Sequence, residues 1–67
     1  MKFENFFNVM HCDFFEIKKN GNIERVEYEL SGKMLIICKK YFNDVVSNFY
    51  TIKSKDSNEL GLLIELI

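Results

Sequence analysis

The first ten residues carry apolar side chains at helical spacing. Four of them recur at i, i+3, i+4 and i+7, namely Phe3, Phe6, Phe7 and Met10. This period predicts a short α-helix with one apolar face. A helix of this length is marginal in water by itself, so we expect it to form by packing that face against a sheet.

A β-hairpin is predicted next. In residues 12–19, Phe15 and Ile17 occupy alternate positions, as in a half-buried strand. The tripeptide Asn-Gly-Asn follows at 20–22, and Asn and Gly tolerate the positive φ angles of a two-residue hairpin turn. Residues 23–30 are then expected to form the return strand.

Three further strands are predicted in the second half of the chain. Residues 34–38 form a continuous apolar run, which is typical of a strand covered on both faces. Residues 45–53 are rich in β-branched and aromatic residues. Residues 60–67 place leucines and isoleucines at alternate positions. Gly61 in this last strand predicts a bulge or a close approach of another group to the backbone.

These elements predict an α+β fold, in which a short N-terminal helix packs on an antiparallel sheet of about five strands. Short sequential connections favour a meander, because parallel neighbours need long crossovers. An alternative assigns residues 40–49 to a second short helix, since Val45, Val46 and Phe49 also suit a helical spacing. Residues 1–67 are expected to form a single domain.

Composition predicts a folded chain with apolar surface to spare. Apolar residues make up 48% of the 67 residues, with seven Phe and three Tyr, and the net charge is −1. A chain of this length buries roughly 60% of the surface that its unfolded form exposes, so a partner or a second copy is expected to cover more. Near-neutral charge favours such association. An exposed sheet edge could receive a strand of the partner.

The residues predict no catalytic apparatus, no metal site and no cofactor site. His11-Cys12-Asp13 resembles a nucleophile beside a base, but neighbours in a strand point to opposite faces, so the thiol is expected to point away from the other two. Structural zinc takes four ligands, and the chain has two Cys and one His. Cys12 and Cys38 are expected to be reduced and largely buried, with a bridge between them as the alternative. We therefore expect a protein that is not an enzyme.

Four residues are candidates for binding a partner protein: Glu27, Glu29, Tyr41 and Phe42. The two glutamates alternate on the solvated face of the second strand, where they could meet a basic groove. The two aromatic residues lie in the least regular stretch of the sequence. Nucleic acid is disfavoured as a partner, because phosphate binding needs a basic surface and the pI is about 5.7.

The sequence favours a soluble, cytoplasmic protein. Its longest apolar run, at 34–38, is far shorter than the roughly 20 residues that span a bilayer. Glu4 and Asn5 interrupt the N-terminal stretch where a signal peptide would be apolar. No interaction with a membrane is therefore expected.

Three segments, behind a short N-terminal helix, carry a resemblance to known proteins. They are CDFFEIKKNG at 12–21, KKYFNDVVSNFYTIK at 39–53 and GLLIELI at 61–67. In this pattern the chain resembles a loose class of small phage and prophage accessory proteins of low-GC Gram-positive bacteria. The resemblance implies a small accessory protein made during phage growth, in a class where some members resemble inhibitors of host defence or regulators of host enzymes. Together with the missing catalytic groups and the surplus apolar surface, it leads us to expect an accessory or anti-defence protein that inhibits a host protein by stoichiometric binding in the host cytoplasm. A homo-oligomeric structural or regulatory module is the alternative.

Overall fold

The computed structural model describes residues 1–28 and 32–67. Within these ranges lie two short helices and four strands, in the order α1 (Phe3–Phe7), β1 (Phe14–Lys19), β2 (Asn22–Glu27), α2 (Gly32–Lys39), β3 (Val46–Lys53) and β4 (Leu60–Leu66). The α+β class and the N-terminal helix are confirmed. Neither helix has the length and the apolar character that crossing a membrane would require.

The N-terminal helix packs its apolar face into the core as its spacing predicted, but it spans Phe3–Phe7 instead of the first ten residues, and Met10 lies beyond its end. Phe3 is fully buried, and Phe6 and Met10 are buried in the same cluster. The ring of Phe7 is partly buried, with its centroid 6.1 Å from that of Phe3 and 5.6 Å from that of Phe42. Because a helix of 5 residues has few internal hydrogen bonds, this packing is what stabilises it.

β1 and β2 form the predicted hairpin. Asn20 and Gly21 have φ angles of 54° and 82°, and positive φ at both central residues is the signature of a type I′ turn. The turn sets the register Lys19↔Asn22 and pairs the two strands antiparallel along their length. The Asn-Gly signal therefore fixed both the position of the turn and the pairing that follows from it.

The apolar run at 34–38 is helical, so the prediction of a strand there was wrong. It lies within α2, where Met34 and Cys38, one helical turn apart, are buried. Leu35 and Ile36 between them are 40% and 70% exposed. Burial at i and i+4 is the period of a helix, but a short run that is apolar throughout shows no period in the sequence.

The alternative second helix at 40–49 was also wrong. Residues 40–44 form turns and a bend, and β3 begins soon after them. β3 agrees with the first prediction of a strand at 45–53, and its β-branched and aromatic residues are those that favour strands. β4 agrees with the strand predicted at 60–67.

The four strands form one mixed sheet in the order β2-β1-β4-β3. β1 pairs antiparallel with β2, and β3 pairs antiparallel with β4, but the central strands β1 and β4 are parallel. The predicted sheet of five antiparallel strands was therefore wrong. The connection between β2 and β3 is long enough to carry the chain across the sheet, so the second hairpin docks with β4 beside β1.

The helices cover one face of the sheet and leave the other face open. Ile17 of β1 and Ile64 of β4 are buried beneath the helices. On the open face the ring of Phe14 is nevertheless buried, because the guanidinium carbon of Arg25 lies 4.0 Å from its centroid. A Cβ at Gly61 would lie 2.5 Å from this ring, which confirms the predicted close approach.

Candidate functional site

The sheet has two outer strands, β2 and β3, and β3 is exposed along most of its length. Two large rings project from its centre, where Phe49 is 59% exposed and Tyr50 is 48% exposed. Consecutive residues of a strand point to opposite faces, so Phe49 lies on the helix-covered face and Tyr50 on the open face. The ring centroid of Phe49 is 5.0 Å from that of Phe6, which connects this exposed ring to the core.

Backbone groups of β3 point outward at alternate residues. The Ser54 N–H donates to the carbonyl of Glu59 at 3.2 Å, which continues the register of the β3–β4 ladder. In an antiparallel ladder, residues whose backbone groups bond the partner strand alternate with residues whose groups point the other way. The backbone groups of Ser54 point toward β4, so those of every second residue before it do the same. The N–H and C=O groups of the residues between, Phe49, Thr51 and Lys53, therefore point to the outer side of β3.

The N-terminal residues cover the beginning of this outer side. Lys2 forms an antiparallel bridge with Val45, and the Val46 N–H donates to the carbonyl of Met1 at 2.8 Å. A bulge in β3 follows. From the bulge residue, Ser47, to the end of β3, no strand in the described part of the chain pairs with the outer side. We refer to residues 47–53 as the free edge.

Charge also separates the two outer strands. β2, with the sequence NIERVE, has three charged side chains, whereas β3, with the sequence VSNFYTIK, has one at its end. On β2, Arg25 Nε lies 3.0 Å from Glu27 Oε1. Glu24 accepts hydrogen bonds from the Tyr41 hydroxyl at 2.6 Å and from Lys40 Nζ at 3.3 Å. Charged side chains on an edge discourage pairing with another chain, so β2 is protected and the free edge is not.

The bond between Tyr41 and Glu24 shifts the ionisation of both groups. Donation to the carboxylate raises the pKa of Tyr41 to about 12. The same hydrogen bond is the main reason that the pKa of Glu24 lies below its ordinary value, and Lys40 lowers it further. At neutral pH the carboxylate is therefore charged and the phenol protonated, which are the states that this bond requires.

The structure describes three of the four residues predicted to bind a partner. Glu27 is exposed on β2 but is paired with Arg25, and Glu29 lies outside the described residues. Tyr41 and Phe42 follow α2, and both rings are partly buried, the latter against the aromatic rings of α1. A role for these four residues in binding stays a prediction.

The segment at 11–13 has a structural role at the start of β1. The Asp13 carboxylate accepts the Leu60 N–H at 3.0 Å, and the Asp13 N–H donates to the Leu60 carbonyl at 3.0 Å. Burial, and then the charge of Asp13, raises the pKa of the half-buried Cys12 thiol. Burial raises the pKa of Cys38 to about 11. Both cysteines are free thiols that stay protonated at neutral pH, and a protonated thiol is a poor nucleophile.

A groove of about 370 Å³ lies beside the β1–β2 turn. Its walls are formed by Ile17, Lys19, Asn20, Asn22, Ile23, Glu24 and Tyr41. Both charged side chains of these walls already have partners within the chain, since Lys19 lies 2.9 Å from Asp44 and Glu24 is bonded to Tyr41. The groove therefore adds little charge that a ligand could use. Within residues 1–28 and 32–67, no three His, Cys, Asp or Glu side chains group as metal ligands.

The sequence predicted that a sheet edge could receive another chain but did not identify the strand. The signal is the uncharged run VSNFYTI at 46–52. Such a run also fits a central strand, because sequence alone does not say how many strands lie beside it. The position of β3 at the outside of the sheet is what turns this run into a candidate binding surface.

Comparisons with known proteins return no match to this chain. No protein-family model matches it, and no curated protein or solved structure does. The function of the free edge is therefore inferred from its own geometry and chemistry.

Proposed function

We propose that this chain is a non-enzymatic protein-binding module that docks a partner on its free edge by strand addition. The observation that carries the proposal is an outer strand without charge from Val46 to Ile52, whose backbone groups at Phe49, Thr51 and Lys53 point away from the sheet. A strand that pairs there satisfies these groups with main-chain hydrogen bonds, and such bonds supply the affinity in strand addition.

Side chains on the two faces of the free edge give this binding its specificity. Phe49, which packs on Phe6, offers an apolar contact on the helix-covered face. Tyr50 offers a ring with a hydroxyl group on the open face. Aromatic and β-branched residues form favourable cross-strand pairs with such rings. The partner strand is therefore expected to be uncharged and rich in those residues.

The chemistry of the chain supports binding over catalysis. Cys12 and Cys38 have the most nucleophilic side chains available, and their raised pKa values keep them protonated near neutral pH. The carboxylate of Asp13, next to Cys12, is engaged by the Leu60 N–H. The sequence resemblance carries the prediction of phage growth as the setting and of a host protein as the partner, and a second copy of the chain is the alternative partner.

Thr51→Pro tests the docking strand. Proline removes the outward N–H of Thr51 and leaves the β3–β4 hydrogen bonds intact, and edge strands tolerate proline. With an affinity tag on the chain in cells that express it, we expect the partner recovered with the unsubstituted chain to be lost with Thr51→Pro.

The matched control is Ile23→Pro on the opposite edge. Because the Tyr28 N–H donates to the Asp13 carbonyl at 3.1 Å, the alternation along β2 places the Ile23 N–H outward as well. Recovery of the partner should be unchanged by Ile23→Pro. If the partner were lost with both proline variants, or recovered with both, the result would contradict β3 as the docking strand.

A further inference from the structure

We infer that the partner strand is β3 of a second copy of this chain, so that two sheets join along their free edges. The inference rests on the proposed function, since it names the occupant of the same edge. The dimer has two-fold symmetry, because the same strand serves both copies. The charged strand β2 then forms both ends of the joined sheet.

The extent of the free edge selects the register of the pair. A two-fold axis at Tyr50 places Asn48 of one copy opposite Ile52 of the other, so that the regular part of the free edge, beyond the bulge at Ser47, is paired. Phe49 then lies opposite Thr51 of the second copy, and both residues already point their N–H and C=O groups outward. Residues placed in this way exchange two backbone hydrogen bonds, and the symmetry doubles that number.

The neighbouring registers fit less well. With the axis at Phe49, Lys53 of one copy falls opposite Val45 of the other, where Lys2 is already paired. With the axis at Thr51, the first residues of the free edge fall opposite residues beyond the end of β3. The axis at Tyr50 is the one that pairs the free edge without displacing the N-terminal residues.

Charge favours a second copy over other strands. No charged residue lies between 47 and 52, and Lys53 falls opposite Ser47, so no like charges meet across the junction. Charged side chains are one of the devices that protect edge strands of other proteins, and charges of this kind would find no partner along this edge. The net charge of −1 leaves little overall repulsion between two copies.

Side chains also match across the axis. On the helix-covered face Phe49 meets Thr51 of the second copy, which is an aromatic and β-branched pair of the kind that stabilises sheets. On the open face the two Tyr50 residues lie directly opposite each other, because their own backbone groups point toward β4. Such non-hydrogen-bonded pairs bring side chains closest together.

Tyr50→Cys tests the position of the axis. The Cα atoms of a non-hydrogen-bonded antiparallel pair are about 4.5 Å apart, within the range of a disulfide. With oxidised glutathione as the oxidant, the two introduced thiols form one disulfide and the glutathione is reduced to two thiols. We expect a covalent product of twice the monomer mass on non-reducing electrophoresis.

Two controls accompany this variant. Ile23→Cys places a thiol of comparable exposure on β2, and Phe49→Cys places one beside the axis instead of on it. We expect Tyr50→Cys to crosslink at least about tenfold faster than either, because held proximity accelerates bond formation. The unsubstituted chain gives the background from Cys12 and Cys38. Equal rates for Ile23→Cys would overturn the paired edge, and a faster rate for Phe49→Cys would overturn the register.

Sedimentation equilibrium separates this inference from the proposed function. We expect the purified chain to show a monomer–dimer equilibrium whose Kd rises at least about tenfold in Thr51→Pro, since each dimer loses two N–H donors. A strictly monomeric chain whose partner capture still depends on Thr51 would overturn the second copy and leave the docking strand in place. If Thr51→Pro left capture of the partner unchanged, the result would contradict β3 as the docking strand, and this inference would fall as well.

Discussion

The two outer strands, β2 and β3, expose backbone groups in the same way but differ in the side chains around them. β2 carries charged side chains that are paired within the chain. Glu24 is bonded to Tyr41, and Arg25 is paired with Glu27. The helix α2 also lies against β2. The free edge of β3 has no charged side chain before Lys53, and its contact with a helix is the ring of Phe6 on Phe49. Paired charges of this kind protect a sheet edge, and we propose that their lack from 47 to 52 leaves β3 open to another chain.

Phe3→Ala has the largest expected effect, because both edges depend on the packing of α1. The ring of Phe3 is fully buried and its N–H donates to the Asp44 carbonyl at 2.8 Å, just before β3. We expect the free energy of unfolding, measured by urea denaturation, to fall by about 3–5 kcal/mol. The exposed Val9→Ala should change it by less than about 0.5 kcal/mol. A loss below about 1 kcal/mol for Phe3→Ala would mean that α1 is not packed as described.

Thr51→Lys has an intermediate effect, and it gives β3 the kind of charge that protects β2. Thr51 is exposed, so the free energy of unfolding should change by no more than about 0.5 kcal/mol. The Kd of the dimer should rise by about tenfold, because a charge enters an uncharged junction. Sedimentation equilibrium measures the change.

The reciprocal substitution on the other edge is Glu27→Thr, which removes a charge from β2. The Kd of the dimer joined through β3 should be the same for Glu27→Thr as for the unsubstituted chain. An effect of Glu27→Thr as large as that of Thr51→Lys would show that the two edges do not differ as their charges indicate.

Tyr41→Phe has the smallest expected effect and tests the local partner of a β2 charge. The hydrogen bond to Glu24 is only part-buried, which limits its contribution to about 0.5–1 kcal/mol. The pKa of Glu24 is lowered in the folded state, so its contribution is present above the unfolded pKa and is lost as the pH falls through the folded value. The pKa of Tyr41 is raised to about 12, so its contribution is present below the unfolded pKa and is lost as the pH rises through about 12.

The stability difference between the unsubstituted chain and Tyr41→Phe should therefore be greatest near neutral pH and shrink in acid and in strong alkali. Urea denaturation over a pH series measures it. In a Glu24→Gln background the acid part of this dependence should vanish, because the side chain no longer titrates. A difference that is constant from acid to neutral pH would show that the phenol is not bonded to an ionised carboxylate.

Local signals in the sequence predicted much of the fold. The spacing of Phe3, Phe6 and Met10 predicted a helix that packs its apolar face, because a helical face is a property of the segment itself. The residues Asn20 and Gly21 predicted the first hairpin, because positive φ at two adjacent positions needs those residue types. Gly61 predicted a close approach, and the ring that makes it, Phe14, is identified by the structure.

The wrong predictions concern properties that depend on the neighbours of a segment in the folded structure. A run such as 34–38 is apolar throughout, so its period becomes visible only when one face is buried and the other is not. The parallel pairing of β1 with β4 joins segments far apart in sequence, and it depends on the path of the whole chain between them. The free edge shows the same limit. The sequence reveals that residues 46–52 carry no charge, but it does not reveal that this strand lies at the outside of the sheet, next to β4.

Both ends of the backbone lie beside the start of β3. The Met1 carbonyl accepts the Val46 N–H on the outer side, and the Ile67 N–H donates to the Val45 carbonyl on the inner side at 3.0 Å. Two strand spacings separate them, roughly 10 Å, which a short Gly/Ser linker spans. A circular permutant in which this linker joins Ile67 to Met1, and in which the chain is cut in the loop at 54–59, would therefore keep all four strands. Its new ends would lie at the opposite end of β3.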